Sequence, residues 1–225
     1  MNVGALLAAP LLLACPAWRV GAASSAPTFP LSCALTLRLF MLTHPYRSRR
    51  ADWLPSPLIA TDPLHDWLAD SSSLTARIVA RCSSLRVQVL SQGLARPHHD
   101  EAILLGLRAG ELACVREVLL IADDKPVVYA RSLVCRDSLR GAWAMFAGIG
   151  ARPLGVALFA DPMIQRGELH AHQLDARDTR YRRVQAAVKL APEAALWARR
   201  SCFVRHARPL IVCEVFLPAI LELRK

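Results

Sequence analysis

What this 225-residue chain lacks narrows its class first. None of its seven cysteines, at positions 15, 33, 82, 114, 135, 202 and 213, forms a CxxC pair. A structural zinc ribbon and a thioredoxin-type site are therefore excluded. An odd, scattered set in a core-sized chain suggests reduced thiols in a cytoplasmic protein rather than a disulfide scaffold. There is no GxGxxG, Walker loop, GxSxG or HExxH pattern, so nucleotide binding and the common hydrolase chemistries have no support. The N-terminal apolar run falls far short of the roughly 20 residues of a membrane span, and no stable membrane insertion is expected. Lysine is scarce: of 28 basic residues only Lys125, Lys189 and Lys225 are not arginine.

What is present describes a packed protein. The chain is 54% hydrophobic and 20% charged, which argues against disorder. Its net charge of +10 is uneven. Residues 1–50 carry five arginines and no acid, residues 51–170 are nearly neutral, and residues 171–210 carry nine basic and three acidic residues. A nearly neutral body is a poor nucleic-acid binder.

Residues 1–50 stand apart. The apolar run from Ala5 to Cys15 and the small-residue tract from Gly21 to Ala26 resemble a signal peptide, but no basic residue precedes the run. Met41 is an alternative start. This stretch is set aside as an N-terminal extension, mis-started or signal-like, ahead of a domain spanning 51–225.

In the body, Asp62-Pro63 predicts the start of a short helix through Leu64, Trp67 and Leu68. Ser73 predicts the cap of a second helix bearing Leu74, Ile78 and Val79. Alternation predicts a strand at Leu85–Val89, and Pro97–Glu101 reads as a loop. Ser138 predicts a helix through Leu139, Trp143 and Phe146, ended by Gly148 and Gly150. Two hairpins follow from apolar runs joined by polar turns. The first runs from Val115 to Val134 around Asp123–Pro126; the second runs from Cys202 to Leu217 around Ala207-Arg208. Helices before and between antiparallel strands predict an α+β fold: a single antiparallel sheet with helices packed on it.

The hairpins hold the candidate chemistry. With Ala122 facing Val127, Arg116 and Arg131 share one apolar sheet face, as diagonal neighbours roughly 7–8 Å apart. Two guanidiniums there need anionic partners. A small molecule with two carboxylates would suit them, and so would internal Asp or Glu. On the second hairpin, Glu214 shares a face with Leu210, Val212 and Phe216. A carboxylate in that setting pairs with an arginine or has a raised pKa suited to acid–base work. Weaker candidates are His98-His99-Asp100-Glu101 and His170-Ala171-His172 as metal ligands, and Arg177, Arg180, Arg182 and Arg183 as a solvated basic cluster. Cys114 and Cys213 are expected to face away from the site.

At these hairpins the sequence resembles the chorismate pyruvate-lyase family of ubiquinone biosynthesis. The matching pieces are Asp66-Trp67-Leu68, Ser73-Leu74-Thr75, Val115 to Leu120, Ala130 to Val134, Pro153-Leu154-Gly155 with Leu158-Phe159, Leu196 to Ser201, and Glu214 to Pro218. They occur in family order over about residues 62–218.

The resemblance implies helical flaps over an internal ligand pocket, no metal and no organic cofactor. It implies elimination of pyruvate from chorismate to leave 4-hydroxybenzoate, by a bacterial, cytoplasmic, monomeric enzyme. Arg116 and Arg131 would hold carboxylates, and Glu214 would contact the ring oxygen. Leu154 would wall the pocket, as would Leu74, which stands where the family has methionine. Arg116 and Glu214 would be the catalytic pair. Two departures are the fifty N-terminal residues and the long, basic segment from Gln165 to Glu193. The rival reading is a non-catalytic sensing domain of the same broad fold that binds a small acid.

Overall fold

The computed structural model describes residues 53–56, 63–190 and 195–223. The readings of residues 1–50 and of Asp62 lie outside the described residues. Contacts divide the chain after Arg47, and every described residue belongs to the unit Ser48–Lys225.

One antiparallel sheet organises that unit. Its strands are β1 (Leu54–Pro55), β2 (Leu85–Ala95), β3 (Ala113–Ala122), β4 (Lys125–Cys135), β5 (Gln165–Arg166), β6 (His170–Leu174), β7 (Leu196–Arg205) and β8 (Arg208–Phe216). Their order is β1-β6-β7-β8-β4-β3-β2, with β5 also pairing with β7. The helices are α1 (His65–Ala69), α2 (Leu74–Val79), α3 (His99–Leu105), α4 (Ala144–Ala147), α5 (Leu154–Ala160) and α6 (Thr179–Val188). Two 3-10 turns, Arg136–Arg140 and Pro218–Glu222, complete the set. The α+β expectation holds.

Both faces of the sheet are covered, which is why β3, one strand in from the edge formed by β2, does not alternate. All ten residues of β3 are buried. On one face, Trp67, Leu68, Leu74 and Ile78 of α1 and α2 pack on Val118, Leu120 and Phe216. Leu154 and Leu158 of α5 pack with Val212 and Phe203 beside them. On the other face, Tyr181 and Val184 of α6 pack on Leu119, Tyr129 and Val215. Each such aliphatic side chain is worth about 1.5–3 kcal/mol when fully buried.

The first hairpin departs from its expected register. Its turn is two residues, Asp123 and Asp124, both left-handed at φ 45° and 63°. This is the geometry that matches strand twist in tight hairpins. Ala122 therefore pairs with Lys125. A bulge then inserts Val127: Ile121 faces Pro126, whereas Leu120 faces Val128. From there Arg116 lies opposite Ser132, and Glu117 lies opposite Arg131. Since side chains alternate with period two, the one-residue change sends Arg116 and Arg131 to opposite faces. The expected two-arginine face on this hairpin does not exist.

Other local readings shift in smaller ways. The turn of the second hairpin is His206-Ala207, at φ 49° and 57°, and β7 begins six residues ahead of Cys202. The supposed loop at Pro97–Glu101 holds the start of α3. Glu101 closes a capping box by accepting from the His98 backbone N–H at 2.8 Å. The helix expected from Ser138 is broken. A 3-10 turn ends at Gly141 and α4 starts only at Ala144, because Gly141 adopts φ −145°, far from helical. Ser73 caps α2 as expected, accepting from Ala76 N at 3.3 Å.

Candidate active site

A cavity lies between one sheet face and the helices above it. Its floor is Arg116, Val118 and Leu120 of β3, Ala130 and Ser132 of β4, and Val212 and Glu214 of β8. Its cover includes Leu74 and Thr75 of α2, and Pro153, Leu154 and Leu158 around α5. The pairing explains the floor. Arg116, Ser132 and Val212 form one transverse row, and Val118, Ala130 and Glu214 form the next.

Arg116 is 2% exposed and forms no salt bridge with any described residue. Its Nη2 donates to the carbonyls of Gly150 at 2.8 Å and Arg152 at 3.0 Å. Its Nε is buried with no hydrogen-bond partner. Burial pushes the guanidinium pKa down. Arginine nevertheless stays charged at neutral pH. The left-handed Gly150, at φ 54°, turns the loop that brings both carbonyls to it.

Glu214 is not a lone carboxylate. Arg199, its register partner on β7, donates through Nε to Oε2 at 2.8 Å. Arg199 is 1% exposed, and its Nη1 also donates to the carbonyls of Trp67 and Asp70, each at 2.8 Å. The carboxylate is thus oriented from behind and lines the cavity in front.

Leu74 and Leu154 both wall the cavity and are 5% and 7% exposed. Gly155 is required by close approach. A Cβ there would stand 2.9 Å from Thr75 Oγ1, so the glycine sets how tightly α5 sits on α2.

Arg131 is elsewhere. It projects from the opposite sheet face, is 2% exposed, and is held by two carboxylates. Nε donates to Glu101 Oε1 at 3.0 Å, and Nη1 forms a short bond to Glu117 Oε1. Arg183 adds a bond to Glu117 Oε2 at 3.0 Å. Burial works against the ionised form of Glu117, but the neighbouring Tyr129 hydroxyl, Arg131 and Arg183 outweigh it and hold its pKa below the usual range. Arg131 therefore has internal acids for partners and does not line the cavity.

The weaker candidates also resolve. Arg180 is buried and bonded to Asp100 at 2.9 Å and Asp178 at 3.1 Å, so part of the basic cluster is structural rather than solvated. A cleft of about 900 Å³ beside it takes in His98, His99 and His172. Among the described residues no three metal-ligating side chains are grouped. Cys213 faces away from the site, but Cys114 shares the face of Arg116 and packs near Leu154. No described helix is long and apolar enough to cross a membrane.

Two cavity residues, Ser132 and Arg166, and the arginine behind Glu214 escaped the sequence reading. Arg199 was recoverable by extending β7 backward from the second hairpin's turn. Ser132 was hidden by the bulge. Arg166, on the two-residue strand β5, has no local pattern that marks it; it lines the cavity beside Phe159 and Phe203.

An unneutralised arginine and an arginine-backed glutamate on the floor of one covered cavity suit a small organic anion held out of water. The chain belongs to the chorismate lyase family, whose model matches residues 48–224. It is 57% identical over 182 residues to a protein of Aromatoleum aromaticum named "Probable chorismate pyruvate-lyase", covering 79% of this chain and 97% of the relative. A protein of Azoarcus sp. with the same name is 52% identical, over 76% of this chain and 93% of its own. Among solved structures, the C-terminal domain of the histidine utilization repressor from Pseudomonas syringae matches 63% of this chain and 95% of its own, with 10% identity and a TM-score of 0.47.

Proposed function

We propose that this protein removes pyruvate from chorismate to give 4-hydroxybenzoate, a carbon–oxygen lyase reaction of ubiquinone biosynthesis. The observation that carries the reading is Arg116, a buried cation on the cavity floor with no carboxylate of its own. The substrate's ring carboxylate supplies that missing partner through bidentate contact.

The reaction breaks the ring carbon–oxygen bond to the enolpyruvyl ether. The adjacent hydroxyl-bearing carbon loses its hydrogen as a proton, and the ring becomes aromatic. The departing enolpyruvate takes a proton on its methylene carbon and becomes pyruvate. In this scheme Arg116 fixes one end of the ring. Glu214, with Oε2 held by Arg199, accepts the ring hydroxyl through its other oxygen and assists proton movement. Leu74 and Leu154 hold the ring between cover and floor and exclude water. Much of the rate comes from orientation and from dipoles already in place.

Residues 51–225 form the catalytic domain and residues 1–50 an extension. The protein acts as a cytoplasmic monomer without a metal or organic cofactor. The five described cysteines, Cys82, Cys114, Cys135, Cys202 and Cys213, are all free, which suits a reducing compartment.

The test is chorismate turnover by the full chain, following pyruvate and 4-hydroxybenzoate together, with Arg116→Ala and Glu214→Ala alongside. Equal amounts of both products, reduced at least 100-fold in each variant, support the reading. Folded wild-type protein that forms neither would end it, and tight 4-hydroxybenzoate binding without turnover would point to a sensing domain.

A further inference from the structure

The cavity contains a second cation without a carboxylate. Arg166 donates from Nε and Nη2 to Ser201 Oγ at 3.0 and 2.7 Å, and from Nη1 to the carbonyls of Ser71 and Ser72 at 2.8 and 3.2 Å. All of these acceptors are neutral. Its guanidinium carbon lies 5.4 and 5.3 Å from the ring centroids of Phe159 and Phe203. Burial pushes its pKa down to about 10, and the Glu214 charge acts in the opposite direction. The buried arginines other than Arg116 are different: Arg131, Arg180 and Arg199 each hold a carboxylate.

The two unneutralised arginines line the same cavity. The row Arg116–Ser132–Val212 continues to Ser201 on β7, whose hydroxyl receives the Arg166 guanidinium. Three strand spacings separate the ends of that row, roughly 14 Å between backbones. Both side chains line the one cavity, so its two ends each present a guanidinium. Glu214 lies on the next row, near the Arg166 end.

We infer that Arg166 binds the carboxylate of the enolpyruvyl group, the part of the substrate that departs, while Arg116 binds the carboxylate that stays on the ring. This rests on the lyase reading above. The substrate's own connectivity matches the layout. Its ether stands on the carbon beside the hydroxyl-bearing carbon. With the ring carboxylate on Arg116 and the hydroxyl on Glu214, the ether points to the Arg166 end. Arg166 is then a substrate-binding residue that the aromatic product, with its single carboxylate, does not engage.

That asymmetry provides the test. Full-length wild type, Arg166→Gln, Arg166→Lys and Arg116→Gln are compared by pyruvate release from chorismate and by calorimetric titration with 4-hydroxybenzoate. Circular dichroism confirms that each is folded. For Arg166→Gln we expect kcat/KM for chorismate to fall about 100-fold, the scale of a lost charge-assisted contact, with a raised KM. The Kd for 4-hydroxybenzoate should stay within threefold of wild type. Arg166→Lys should recover about tenfold of the loss, and it carries the same comparison if the glutamine variant does not fold. Arg116→Gln should lose both turnover and product affinity. The inference is overturned if the Arg166 variants lose product affinity in parallel with turnover, since that marks a role in holding the cover only. It is also overturned if they process chorismate within fivefold of wild type. Absence of turnover in the wild type would instead refute the lyase reading itself.

Discussion

Arg199 and Glu214 face each other across the β7–β8 ladder and are joined at 2.8 Å, one side chain 1% exposed and the other 14%. The pair sets the orientation of the one acid on the cavity floor. Removing the charge from Glu214 separates its chemical role from its packing role. Glu214→Gln keeps the volume, so the fold should survive while pyruvate release falls at least 100-fold. A stopped assay with chorismate measures the loss, and turnover within tenfold of wild type would remove Glu214 from the mechanism.

Arg199 is a positioning residue with a larger structural share. Arg199→Ala strands the Glu214 carboxylate and frees the carbonyls of Trp67 and Asp70. Breaking a buried pair from one side costs about 3–5 kcal/mol. Urea unfolding should show a fall of that order. Arg199→Lys should recover part of the stability but not the kcat, because a lysine cannot hold Glu214 and both carbonyls in one plane.

The contact between α5 and α2 can be tested at Gly155. A methyl there meets Thr75 Oγ1 at 2.9 Å, so Gly155→Ala should destabilise by about 1–3 kcal/mol through overpacking. It should also weaken 4-hydroxybenzoate binding about tenfold by lifting Leu154. Combining it with Thr75→Ala should restore part of both losses, and a double-mutant cycle with no coupling would contradict this account.

The network on the other sheet face predicts a pH response. The folded-state pKa of Glu117 is depressed, so its stabilisation is present above the unfolded carboxylate range and is lost as pH falls through the lower folded value. At pH 7, Glu117→Gln should be about 3 kcal/mol less stable than wild type, because Arg131 and Arg183 lose a shared acid. The gap should narrow as pH falls below about 4. Urea midpoints recorded from pH 7 to pH 3 would reveal it, and a gap independent of pH would contradict the charge argument.

Leu74 offers a conservative change. Leu74→Met exchanges side chains of similar volume on the cavity wall. It should cost less than about 1.5 kcal/mol in stability and leave kcat/KM for chorismate within a fewfold of wild type. A much larger loss would mean that Leu74 shapes the pocket more sharply than its size suggests.

The parts of this architecture carried by local chemistry were legible in the sequence. Ser73 as a cap, the strand around Val87, the two hairpins, and Glu214 on the face of Val212 all follow from side-chain period and turn residues. What was hidden depends on single-residue accidents of register. Val127 bulges out of the ladder, and no composition signal marks it, yet it decides that Arg131 meets Glu117 and leaves Arg116 alone. Arg166 was hidden for a different reason. It lies on a strand of two residues, and only tertiary packing brings it over Ser201. Of the two arginines expected to share a face on the first hairpin, Arg116 lines the cavity and Arg131 does not.

The arginines around the cavity do not only face inward. Arg116 donates to Gly150 and Arg152, Arg166 to Ser71 and Ser72, and Arg199 to Trp67 and Asp70. Two of these guanidiniums fasten residues 67–72 to the sheet, and the third fastens the loop at residues 150–152. The groups that would meet a ligand's charge are therefore the same groups that fasten the cover, so charge at the site and closure of the site cannot be altered separately by substituting either loop-binding arginine.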